Sequence, residues 1–118
     1  MANSVVLVMR HSAERLMYGD MLDRDGFQTT RLASPSPARE AIDRTPPDVL
    51  MVGLDEGHEE ALALVRWAKA QRGQSLKIIG ITTSPLAART AQLAGCDDCL
   101  EVPAPIGEVV SAVQRSVA

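Results

Sequence analysis

Cys96 and Cys99 stand in a C-x-x-C spacing, the spacing of redox dithiols and of half a zinc site. A structural zinc takes four ligands, and two thiols supply only half of them. A redox pair of the thioredoxin type follows a strand and opens a helix, where the thiolate is stabilised. Here the pair follows a helical pattern and enters a strand. That order predicts one loop cysteine and one buried strand cysteine, each a small apolar filler. The two histidines, His11 and His58, fall in loops that follow strands at the same edge of the sheet. No Ser or Cys nucleophile with a partner accompanies them, so they read as loop residues rather than acid–base groups. The chain is therefore not expected to be an enzyme.

These residues are positioned by one stretch, Pro47-Asp48-Val49-Leu50-Met51-Val52-Gly53-Leu54-Asp55. An apolar run bounded by turn signals reads as a strand, Val49 to Leu54, buried on both faces. In a parallel α/β sheet, ligands bind at the carboxyl ends of such strands. The residue at that end is Gly53, which has no side chain.

The other elements follow from period and punctuation. Ser4 to Met9 is an apolar strand. Ser12 caps a helix running through Asp25, with Ala13, Leu16, Met17 and Met21 on one face and Gly26 at its left-handed stop. Phe27 to Leu32 is a weaker strand. Ser36 as cap and Pro37 at the first helical position open a short helix to Asp43. A helix from about Glu59 to Gln71 carries Ala61, Leu64, Val65 and Ala68 as its apolar stripe, and Gly73 closes it. Lys77 to Thr82 is a strand. Ser84 and Pro85 open a fourth helix that Gly95 ends. Cys99 to Val102 is a short strand. Ile106, Val109, Val110, Val113 and Val117 line one face of a last helix. Strands alternating with helices imply right-handed crossovers and a parallel sheet. The expected fold is a flavodoxin-like, three-layer (βα)5 domain over residues 1–118, with strand order 2-1-3-4-5. That order sets Met9 and Gly53 side by side.

Composition narrows the function. Aromatics make up 3% of the chain against 46% apolar residues, so Val, Leu, Ile, Met and Ala must build the core. A net charge of −3 supplies no basic patch for nucleic acid. No run is long enough to span a membrane, and the first residues lack the features of a signal peptide. A cytoplasmic protein without nucleic-acid or membrane partners is expected.

Four stretches together resemble the receiver domain of bacterial two-component response regulators. They are Arg24-Asp25-Gly26-Phe27, Thr45-Pro46-Pro47-Asp48-Val49-Leu50, Ile79-Gly80-Ile81-Thr82, and Ala94-Gly95-Cys96-Asp97-Asp98-Cys99-Leu100-Glu101-Val102-Pro103. The last is the most specific. The resemblance implies phosphotransfer chemistry that needs an Asp ending the third strand and two acids ending the first to hold magnesium. It also needs a Thr or Ser after the fourth strand, and a Lys and a switch aromatic on the fifth. Carried over, the acceptor falls on Gly53, the acid pair on Met9 and Arg10, the Lys on Val102 and the aromatic on Cys99. Only Thr82 matches. The resemblance also implies a cis bond between Val102 and Pro103, and a structural turn at Asp97-Asp98.

A thioether, a guanidinium and a missing side chain do not suit magnesium, which wants hard anionic oxygens. The expectation is a pseudo-receiver without magnesium and without phosphotransfer to position 53. Arg10 either pairs with Asp55 or Glu56 or is solvated. Asp55 is the alternative acceptor, and a small-anion or nucleotide sensor using the vacated pocket is a further alternative. By resemblance, the partner is a protein such as a kinase, another regulator or a motility component. It would dock on the face of the fourth helix, fifth strand and fifth helix, with Arg89, Gln92, Glu101, Ala104 and Gln114 as candidates; the same face could form a homodimer.

Overall fold

In the computed structural model, which describes residues 3–54 and 58–117, every strand pairs in parallel with its neighbours. The strands are β1 (Ser4–Val8), β2 (Gln28–Leu32), β3 (Val49–Gly53), β4 (Lys77–Thr82) and β5 (Asp98–Glu101). The helices are α1 (Ser12–Arg24), α2 (Pro35–Arg44), α3 (His58–Arg72), α4 (Pro85–Ala94) and α5 (Ile106–Val117). The sheet order is β2-β1-β3-β4-β5, as expected. Among the described residues, no helix is long and apolar enough to cross a membrane.

β3 is central because its run Val49, Leu50, Met51, Val52 is apolar on both sides of the pleat and buried throughout. Alternation along the strands then divides the core. Val5, Leu7, Val49, Met51, Ile79 and Ile81 face one layer, against Leu22 of α1 and Val109 and Val113 of α5. Val6, Val8, Leu50, Val52 and Ile78 face the other, against Ile42 of α2, Leu64 and Val65 of α3 and Ala91 of α4. β2 is an edge strand of polar sequence, and Arg31 ties it to α1 through Asp20 at 2.9 Å and Asp23 at 2.6 Å.

Beyond shifts of one residue at the ends of β1, β2, β3 and β5, three local details differ from the sequence reading. First, α1 does not turn Ala13, Leu16 and Met17 inward: its buried residues are Tyr18, Gly19 and Leu22, while Leu16 is 58% and Met17 48% exposed. The inward face is instead the i, i+4 pair Tyr18 and Leu22, with Met21 packed beside them. Arg15 Nη1 donates to the carbonyls of Met9 at 2.8 Å and Arg10 at 3.3 Å, and Gly19 makes room for the Arg31 side chain.

Second, α2 begins at Pro35 with Ser34 at its cap, one Ser-Pro unit earlier than Ser36-Pro37. Both prolines then lie in the first turn, where the N–H groups have no intrahelical acceptor. Third, the more buried cysteine is Cys96 in the loop, and the strand residue Cys99 is only half-buried. β5 also begins one residue early, at Asp98. Gly26 and Gly95, with φ of 94° and 127°, terminate α1 and α4 in backbone that favours glycine, as expected.

Asp97 is the anchor of the α4–β5 turn. Its Oδ2 accepts the Ile78 N–H at 2.8 Å and pairs with Lys69 Nζ at 2.8 Å. Lys69 also donates to the carbonyls of Gly73 and Leu76, so one ammonium closes the end of α3 onto β4. Asp97→Ala should cost about 1.5–3 kcal/mol, the range for hydrogen bonds to charged groups in partly buried settings. Urea unfolding checks this, with a midpoint shift and an unchanged slope expected.

Candidate functional site at the strand ends

The register that builds the sheet also builds its carboxyl edge. Val8 pairs with Val52, and Gly53 pairs with Ile81. Three backbone bonds extend the ladders past the strands: Met9 N to Leu32 O at 3.0 Å, Leu54 N to Ile81 O at 2.9 Å and Val102 N to Thr82 O at 2.9 Å. Met9, Gly53 and Val102 are thereby brought to one edge. Above them lies a cavity of about 450 Å³ lined by Met9, Arg10, Gly53, Val102 and Pro103. Thr83, Tyr18 and Ala104 stand in its wall with the carboxylate-bearing Glu14. Five of the six residues assigned to this pocket from sequence line it; the exception is Thr82.

Thr82 is fully buried, and its hydroxyl accepts the Ser84 N–H at 3.1 Å, which starts the loop into α4. The next residue, Thr83, is the one that reaches the cavity. The pleat explains the exchange. Gly53 pairs with Ile81, and Thr83 shares the parity of Ile81, whereas Thr82 shares that of Ile78 and Gly80.

The floor of the cavity is apolar. Met9 is 3% exposed, and a Cβ built on Gly53 would stand 2.9 Å from its Sδ. The thioether thus fills the space that any side chain at position 53 would enter. Arg10 is exposed at the mouth, between this cavity and a second one of about 420 Å³ lined by Val8, Ser34 and Glu60. The Arg15 guanidinium fixes the turn that carries Met9 and Arg10. Asp55 and Glu56, the alternative acceptor and the expected partners of Arg10, lie outside the described residues, as does the side chain of His58. His11, rather than Ser12, stands at the N-cap position of α1, at the cavity rim and without a side-chain capping bond.

This donor set does not fit magnesium: Met9 offers a soft sulfur, Arg10 a positive charge and Gly53 no side chain. Among the described residues, no three His, Cys, Asp or Glu side chains group to hold a metal ion. The Val102-Pro103 bond is cis, as the resemblance implied.

The surface proposed from sequence for docking is partly assembled. Arg89 and Gln92 are exposed on α4, and Glu101 is exposed on β5. Ala104 is half-buried and belongs to the cavity wall. Gln114 turns away from α4: its Nε2 donates to Asp25 Oδ2 at the end of α1, at 2.9 Å. The sequence reading missed Leu86 and Leu93, which are 74% and 85% exposed on α4. Their separation of seven residues is the signal that could have found them, since it sets them on one helical face.

The described fold is similar to that of solved receiver domains. Over 99% of its length the chain matches NtrX from Brucella abortus with a TM-score of 0.89 and 21% sequence identity. It spans 26% of that protein. A response regulator described from Chloroflexus aurantiacus J-10-fl matches with a TM-score of 0.90 and 21% identity over 99% of this chain and 98% of that one. A CheY-like response-regulator receiver domain from Methylobacillus flagellatus matches with a TM-score of 0.85 and 20% identity, over 98% and 99% of the two chains. No protein-family model matches the chain, and none of the curated proteins resembles it in sequence. At these identities the likeness establishes a shared fold.

Tyr18, the single tyrosine, reports on the cavity wall. Burial, and then the charge of Glu14, pushes its phenol above the ordinary tyrosine value. The stabilising contribution is present below that ordinary value and lost as pH rises through the folded one. Ultraviolet titration should therefore place the tyrosinate midpoint above about 10. A midpoint at or below that value would show the ring to be solvated.

Proposed function

We propose that this chain is a receiver-type signalling domain that takes no phosphoryl group at position 53 and acts through protein docking. One observation carries the reading. The acceptor position of the fold is Gly53, and the buried thioether of Met9 occupies the adjoining space. Phosphotransfer depends on placement of charge and nucleophile more than on residue inventory. Here the acceptor has no carboxylate, the metal position has a sulfur and a cation, and the lysine position is the aliphatic Val102. On this reading no magnesium is held and the strand-end pocket stays in one state.

Docking is proposed on the α4–β5 surface. Leu86 and Leu93 flank Arg89 and Gln92, so the exposed face of α4 combines apolar anchors with polar neighbours. Interface hot spots are built in this way, from apolar centres with a polar surround. The partner class that fits the fold is a kinase or another regulator of a two-component pathway, or a second copy of the chain.

Two measurements test the reading. Incubation with acetyl phosphate and magnesium should leave the intact mass unchanged. A gain of about 80 Da, one phosphoryl group, would overturn it, and loss of that gain in Asp55→Ala would identify the atypical acceptor. Separately, Leu86→Glu combined with Leu93→Glu should leave the thermal midpoint within a few degrees, since both side chains are on the surface. The same pair should abolish crosslinking to whatever partner the unaltered chain captures from its own cells. Undiminished capture would remove α4 as the docking face.

A further inference from the structure

The sulfurs of Cys96 and Cys99 converge on one point of the core. Both lie over Gly80 of β4: a Cβ there would stand 3.1 Å from Cys99 Sγ and 3.4 Å from Cys96 Sγ. The absent side chain at Gly80 leaves room for both sulfurs and for Leu54 Cδ1, which such a Cβ would meet at 2.8 Å. In that space each thiol perturbs the other's ionisation, raising Cys96 and lowering Cys99. The Cys99 thiol in turn lies 3.5 Å from the Ala88 carbonyl of α4. Cys96 is buried and Cys99 is partly open to solvent, so the two differ in access as well as in role.

We propose that Cys96 and Cys99 are an oxidisable dithiol, which a hydroperoxide closes into an intramolecular disulfide. Cys99 is the attacking sulfur. It is the accessible one, and the neighbouring Cys96 holds its thiol below the ordinary cysteine range. Cys99, together with burial, pushes Cys96 up, so it remains protonated until the second step. In the first step Cys99 sulfur bonds to one peroxide oxygen and the O–O bond breaks. The leaving oxygen departs as water (or an alcohol), and Cys99 becomes a sulfenic acid. In the second step Cys96 sulfur bonds to Cys99 sulfur and the S–O bond breaks. The Cys96 proton leaves with that oxygen as a second water. Two thiols lose two electrons and one peroxide gains them.

The bridge would tie the residue following the Gly95 cap of α4 to β5. It would add a covalent bond where the α4–β5 turn is now held by hydrogen bonds, among them Cys99 Sγ to Ala88 O at 3.5 Å and Cys96 N to Ala91 O at 3.0 Å. The inference does not depend on the docking reading, and its test involves no partner.

The reduced protein is treated with hydrogen peroxide and analysed without reductant. Its intact mass should fall by about 2 Da, the loss of two hydrogens, with both thiols lost to a thiol-specific reagent, the chain still monomeric, and dithiothreitol reversing the change. Digestion should place the loss within the single tryptic peptide 90–115. In Cys96→Ser the sulfenic acid should persist at Cys99 and be trapped by dimedone. In Cys99→Ser oxidation at Cys96 should slow by about tenfold or more, as expected of a buried protonated thiol. Two titratable thiols in the treated wild-type chain, a disulfide between two chains, or over-oxidation at Cys99 without a bridge would each overturn the proposal. The wild-type mass decides even if neither serine variant folds.

Discussion

The register between β1 and β3 is the constraint on which the site depends. Val8 pairs with Val52, so the next residues along, Met9 and Gly53, meet at the carboxyl edge. A shift of one residue would turn the apolar set of β1 to the opposite face and place a different pair there. The shift is prevented because β1 and β3 are buried on both sides and share both core layers. The strand interior thus holds the register, and the register determines what stands at the edge. With a thioether against a glycine, packing fills the floor of the cavity at that edge.

Much of the fold was legible because its elements are separated by strong punctuation. Gly26, Gly95, the Ser-Pro units and Pro46-Pro47 all fall at boundaries, and the apolar run of β3 has one sensible place in a parallel sheet. The sheet order and the pocket residues Met9, Arg10, Gly53, Val102 and Pro103 followed from that frame. What failed was orientation. The rotation of α1 was hidden because its apolar residues offer two alternative faces, and the one through Tyr18 and Leu22 is the one buried. Thr82 and Thr83 were not separable, since adjacent hydroxyls differ only in pleat parity, which needs the register.

The cysteine pair shows the same limit. Judged by the helix-first order of redox motifs, C-x-x-C here looked like two fillers. The spacing alone does not show that Gly80, on another strand, opens the space in which both sulfurs meet. Leu86 and Leu93 carry a related lesson: an exposed leucine is ordinary, but two on one face of a surface helix are worth weighing against the polar residues between them.

The strand-end pocket is proposed not to respond to magnesium or to a phosphoryl group. Amide chemical shifts of Met9, Arg10, Gly53, Thr83 and Val102 in a labelled sample, titrated with magnesium and then with beryllofluoride as the phosphoryl mimic, test it most directly. These resonances are expected to stay in place through both additions. Saturable shifts clustered on these residues, or shifts spreading from them into α4 and β5, would contradict that proposal.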